Sequence, residues 1–116
     1  MVTSWRDVEV SNGTVFRRMN EWTHDDTEHL GNRIEAYLCE CGDTSCTDPI
    51  TIHRVKYERV RAYPARFVIA LDHENPEIDY VVREAPGFAV VEMVGGSARI
   101  ARATDPRRSH PTGVDR

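Results

Sequence analysis

The chain has 116 residues, 40% hydrophobic and 29% charged, with a formal net charge of −4. That length gives one domain with one modest core, and that balance excludes a disordered polar tract. An acidic surplus argues against general nucleic-acid affinity, which strongly basic domains carry, and the longest unbroken apolar run, Phe67 to Leu71, is far too short to cross a membrane.

The start, Met1-Val2-Thr3-Ser4-Trp5-Arg6-Asp7, holds no apolar signal-peptide core, so a cytoplasmic protein is expected. Residues 1–12 read as a flexible lead-in, 13–103 as a single α+β metal-binding domain and 104–116 as a flexible tail. Val15, Phe16, Met19, Trp22, His29 and Leu30 recur at helical spacing, with Thr14 placed to cap the helix and Gly31 to stop it. Asp25 and Asp26 interrupt that stripe.

From Ile34 the period becomes two, Ile34, Ala36 and Leu38 alternating with Glu35 and Tyr37 as a half-buried strand does. Ile50-Thr51-Ile52 after Pro49 is short and β-branched and can return beside it, which sets the cysteines at a hairpin tip. Residues 54–62 predict a short helix ending near Tyr63-Pro64, because the residue before a proline is pushed out of the α region. Phe67 to Leu71 predicts a strand. Ile78 to Arg83 and Phe88 to Val94 predict a hairpin through Glu84-Ala85-Pro86-Gly87, and Ser97 can cap a last helical turn through Ala103. The expected architecture is therefore α+β: an N-terminal helix, a small mixed or antiparallel sheet with the cysteine knuckle at a hairpin tip, then a β-hairpin and a short helix.

All three cysteines fall within eight residues, Cys39-Glu40-Cys41-Gly42-Asp43-Thr44-Ser45-Cys46. In an extended C-x-C both side chains leave one face, so Cys39 and Cys41 can address one ion, and Gly42 suits the turn that returns Cys46 to them. Zinc favours tetrahedral sulfur and nitrogen coordination, which leaves a fourth position for a histidine, an acid or a water. An odd thiol count in a reducing compartment disfavours a structural disulfide. The plain alternative is three ordinary cysteines on a polar loop, which the polar neighbours Glu40, Asp43, Thr44 and Ser45 weaken, since free cysteine prefers burial. A redox switch is the further alternative.

Among five histidines, His24, His29, His53, His73 and His110, the loop Asp72-His73-Glu74-Asn75-Pro76 follows a strand end and can present His73 to the hairpin tip. His53 is the runner-up, unless it merely caps the helix after it.

Phe16-Arg17-Arg18-Met19-Asn20-Glu21, the Cys39-Glu40-Cys41-Gly42 knuckle with Cys46, Tyr57-Glu58-Arg59-Val60-Arg61-Ala62, Arg66-Phe67-Val68, His73-Glu74 and Thr104-Asp105-Pro106-Arg107 together resemble a family of small uncharacterised proteins of high-GC Gram-positive (actinobacterial) bacteria. The likeness runs over residues 15–108. In that pattern a C-E-C-G and a third cysteine precede an E-Y-E-x-V-R segment and a G-H-E loop. Here Lys56 replaces the first acid and Asp72 stands in place of the glycine. The resemblance implies Cys39, Cys41, Cys46 and His73 as metal ligands, and implies no activity.

Arg54, Lys56, Arg59, Arg61 and Arg66 concentrate positive charge around the second helix. They read as a solvated face, with Glu58 in reach of Arg61 or Arg54, or more sharply as a contact for phosphate or an acidic partner. Trp5, Trp22 and Tyr80 read as packing residues, Trp5 also as a partner contact. No catalytic residue is nominated: the H-x-E with P-C-x-x-C of zinc deaminases, the H-E-x-x-H of metalloproteases and the G-x-x-x-x-G-K of phosphate loops are all absent. The expected function is thus a small zinc-binding interaction or regulatory module whose partner is another protein rather than nucleic acid or membrane, with a metal-releasing redox sensor and a zinc-dependent hydrolase as alternatives.

Overall fold

The computed structural model describes residues 5–24, 34–43 and 45–109. In chain order these form α1 (Trp5–His24), β1 (Ile34–Leu38), β2 (Pro49–His53), α2 (Arg54–Arg61), β3 (Arg66–Ile69), β4 (Asp79–Ala85), β5 (Phe88–Met93), α3 (Gly95–Ala103) and a 3-10 turn (Pro106–Ser109). The fold is α+β, as the change from helical to two-residue periodicity predicts.

β1 and β2 pair antiparallel, Tyr37 facing Ile50 and Leu38 facing Pro49, so the residues between them form the tip of a hairpin. The second sheet is antiparallel in the order β3-β5-β4, which leaves β3 with one free edge. Pro86-Gly87 joins β4 to β5 between the paired Ala85 and Phe88. Proline fixes the first turn angle and Gly87 takes the positive φ of 88° that the second requires. Phe67, Val68, Ile69, Ala89 and Val91 are the buried centre of this sheet. α2 packs against β3, and α3 packs against β5 and α1.

Two faces are inverted relative to the sequence pattern. α1 begins at Trp5, nine residues before the expected cap at Thr14, and buries Val10, Gly13, Thr14, Arg17 and Asn20 while Val15, Met19 and Trp22 are exposed. The cause lies in the backbone groups beneath it. Arg17 donates to the carbonyls of Pro64 and Ala101, and Asn20 donates to Leu38 O and accepts from Leu38 N–H at 2.7 Å. A buried backbone group left unpaired costs about 1–3 kcal/mol, so polar side chains outcompete the apolar stripe for that side. β1 is inverted too: Tyr37 is buried and stacks on Tyr57 at 4.2 Å, whereas Ile34, Ala36 and Leu38 face outward.

The expected helix beyond residue 24, with Leu30 and Gly31, lies outside the described residues. α3 starts at Gly95 rather than at a Ser97 cap. Trp22 and Tyr80, read as packing residues, are 82% and 65% exposed; the side chain of Trp5 lies outside the described residues. The start of the stretch read as a flexible tail is anchored, because Asp105 is buried and Arg107 is ion-paired, while residues 110–116 lie outside the described residues.

Candidate metal centre

β1 delivers Cys39 to the free edge of β3, and the C-x-C segment docks there. Glu40 N–H donates to Val68 O at 2.8 Å, Val68 N–H donates to Glu40 Oε1 at 2.9 Å, and Ala70 N–H donates to Cys39 Sγ at 3.1 Å. The edge that an open sheet leaves unpaired is thereby satisfied, and the knuckle is fixed beside the end of β3. Gly42 then turns the chain at φ 85°. Asp43 finishes the reversal: its Oδ1 accepts from Ser45 N–H at 2.9 Å and Ser45 Oγ at 2.7 Å, while its carbonyl accepts from Cys46 N–H at 3.0 Å. α1 closes over this loop, with Asn12 Nδ2 donating to Gly42 O at 3.1 Å. A Cβ on Gly13 would lie 3.1 Å from Glu40 O, so this helix approaches as near as a glycine allows.

From the other side, β3 ends in a turn in which His73 N–H donates to Ala70 O at 3.2 Å. Asp72 adopts φ 68° there, the left-handed conformation that favours glycine and that aspartate tolerates better than most residues. This turn swings His73 Nδ1 to 3.5 Å from Cys39 Sγ and 3.4 Å from Cys46 Sγ. The ligand atoms of Cys39, Cys41, Cys46 and His73 all lie within 4.8 Å of one another. A tetrahedral ion with bonds of roughly 2.0–2.3 Å separates its ligand atoms by about 3.3–3.8 Å, so small side-chain adjustments seat one ion among them. Asp48 Oδ2 lies 3.3 Å from His73 Nε2, the carboxylate behind an imidazole that fixes its orientation and leaves Nδ1 to face the sulfurs.

The thiols are electrostatically unequal. Cys41 is lowered to about 5, chiefly by its hydrogen bond with Cys39 and against the cost of burial, with the Asp43 N–H, His73 and Cys46 helping. Cys39 is pushed up, first by the same hydrogen bond and then by burial. Three sulfurs share protons in a space that a cation would fill, and metal binding displaces those protons.

The residue between the first two cysteines is buried rather than part of a solvated loop. Glu40 is 2% exposed, and its Oε2 accepts from Asn20 Nδ2 at 2.8 Å and Tyr57 OH at 2.7 Å. Burial pushes its carboxyl above the usual range, against those donors and the Val68 N–H. Beyond Tyr57 lies an ion-pair cluster. Arg61 bonds Glu21 and Asp105, while Arg107 bonds Glu21 at 2.8 Å and grips Glu58 with two bonds of 2.8 and 3.0 Å. The solvated-face reading of Arg61 and Arg54 is therefore corrected: both are buried on the inner side of α2, and Glu58 reaches Arg54 at 3.8 Å.

The structure thus brings together Cys39, Cys41, Cys46 and His73, the four residues nominated from the sequence. His53 is the N-cap residue of α2 without a side-chain capping bond and is not in the ligand group. His29 and His110, with the side chain of His24, lie outside the described residues. Sequence reasoning missed Arg17, Asn20, Glu40 and Tyr57 as the support of the knuckle. Their signal was the recurrence of Val10, Gly13, Arg17 and Asn20 at helical spacing.

Asp72 gives a direct check on the turn. Asp72→Val is expected to lower stability by about 1–3 kcal/mol, because a β-branched residue resists positive φ, while Asp72→Gly keeps or raises it. Denaturant unfolding of both variants measures this; equal losses would mean that φ at this position is not what holds the turn.

Compared with known proteins, the chain matches no family model, no curated protein and no solved structure.

Proposed function

We propose that this chain is a small zinc-binding module in which Cys39, Cys41, Cys46 and His73 form a closed shell, and that it acts as an interaction or regulatory domain for another protein in the cytoplasm. The observation that carries the reading is the convergence of four ligand atoms within 4.8 Å from two separate loops. Three thiolates and one imidazole suit zinc, and four protein ligands leave no position for a reactive water, which makes the site structural rather than hydrolytic. Outward-facing Val15, Met19 and Trp22 on α1 support a protein partner, since exposed apolar stripes mark interaction surfaces.

Protein purified without added metal is expected to carry about one equivalent of zinc, with three sulfurs and one nitrogen in its X-ray absorption spectrum. His73→Ala should replace a nitrogen with water and weaken zinc, while His53→Ala leaves affinity unchanged. Weaker zinc in His53→Ala alone would move the fourth ligand to the start of α2.

Cys46 favours the redox sensor as a second reading, because it is less buried than the other two thiols. In that reading, peroxide oxidises two thiolates to a disulfide, takes two protons to become two waters, and releases the zinc. Rapid, reversible zinc release under mild peroxide supports the sensor; oxidation only after chelation supports the structural role.

A further inference from the structure

The two faces of α2 have separate fates. Arg54, Tyr57, Glu58 and Arg61 turn toward the interior cluster, while Lys56, Arg59, Val60 and Tyr63, at the same helical spacing, line a cleft against the β4–β5 hairpin. Its volume is about 690 Å³, within the range of small-molecule sites. None of its lining residues belongs to the metal centre.

Charge and shape in the cleft are complementary to one kind of ligand. Lys56, Arg59 and Arg83 stand on its rim, exposed and without an ion-pair partner among the described residues, in a chain whose net charge is negative. Glu84 is the acid on that rim. Unpaired cations repel one another, so gathering three of them around a concavity favours an anion between them. Val60, Phe88 and Val90 supply a buried apolar floor. The Tyr63 ring, 52% exposed, forms a flat wall, with one face stacked at 4.0 Å by the guanidinium of Arg66, which also lines the cleft. Arg66 is itself held by Glu92 at 2.9 Å, which keeps the wall in place.

We propose that this cleft binds an organic phosphate of nucleotide size, its planar body against Tyr63 and the apolar floor and its phosphoryl oxygens between Arg59, Arg83 and Lys56. Guanidinium forks match phosphate oxygens, and an aromatic wall accepts any flat ring without requiring a particular base. The floor distinguishes this site from a bare anion site.

The test is a titration of the zinc-loaded full chain, followed by amide chemical shifts, with adenosine diphosphate, adenosine and pyrophosphate as separate probes and zinc content measured before and after. Adenosine diphosphate should shift amides of α2 and the β4–β5 hairpin, and adenosine and pyrophosphate should each bind at least about tenfold more weakly, because each lacks one half of the contacts. Arg59→Gln with Arg83→Gln should weaken the diphosphate by about tenfold or more and leave melting and zinc content unchanged. Lys56→Gln alone, at an exposed position, gives a smaller loss in the same direction. Absence of shifts in the cleft at millimolar diphosphate, shifts that survive the double substitution, or pyrophosphate binding as tightly as the nucleotide would each overturn the proposal. So would a single-stranded oligonucleotide bound far more tightly at the same residues, which would make the cleft part of a nucleic-acid surface.

Discussion

Glu40→Ala is expected to cost about 3–5 kcal/mol of folding stability, with the loss of zinc following from it, although Glu40 itself ligates nothing. The truncation removes the acceptor of three buried hydrogen bonds, those from Tyr57 OH, from Val68 N–H and from the second N–H of Asn20 Nδ2, whose first is held by Leu38 O. It also removes a favourable negative charge from two buried cations, since the Glu40 charge acts on both Arg17 and Arg61, while Arg61 keeps its direct bonds to Glu21 and Asp105. Arg17 already bears the strain of burial, its guanidinium lowered to about 10 first by desolvation and then by Arg61. Glu40→Gln keeps the shape and one acceptor, so its cost should be nearer 1–2 kcal/mol. Urea unfolding of the two variants, with zinc measured on each, reads both effects. A Glu40→Ala protein that melts like the wild type and holds its full zinc would show that the C-x-C segment is positioned by the metal alone.

The parts of this molecule that were legible in the sequence are those governed by short-range rules. Cys39 and Cys41 were legible as a pair because alternate side chains of an extended chain share a face, although the chain already turns at Glu40-Cys41, and Gly42 announced the turn that returns Cys46. His73 was legible because strand β3 is a short apolar run whose end is marked by the polar Asp72-His73-Glu74. Long-range polar satisfaction was not legible. Tyr37 is buried in place of Ile34 because Ile50 and Ile52 of β2 and the ring of Tyr57 present the interior on that side, and none of these is a local neighbour in the chain. On α1 the apolar stripe was plain, yet the carbonyls of Pro64, Ala101 and Leu38 decide which side faces inward. Glu40 illustrates the limit most sharply: composition reads it as loop polarity, while its two oxygens join α1, α2 and the edge of β3.

Chelation of zinc is expected to loosen one end of the domain more than the other. The four candidate ligands come from two loops, residues 39–46 and the turn around His73, so an ion held by all four would tie the hairpin tip to the end of β3. At free zinc a thousandfold above its dissociation constant the linkage contributes about 4 kcal/mol, which for a domain of this length moves the melting temperature by roughly 15 °C. Peptide-scale dependence is not expected, because Phe67, Val68, Ile69 and Val91 form a core that requires no metal. Hydrogen exchange separates these contributions. On metal removal the amides of Cys46 and His73, bonded only across short turns, should exchange much faster, whereas those paired between β3 and β5 keep most of their protection. Lower pH should reproduce the effect, since protons compete with the ion for the three thiolates and affinity falls as they bind. Uniform loss of protection in both sheets would instead make the ion part of a single cooperative core, and unchanged melting after complete chelation would remove the metal from the account of this fold.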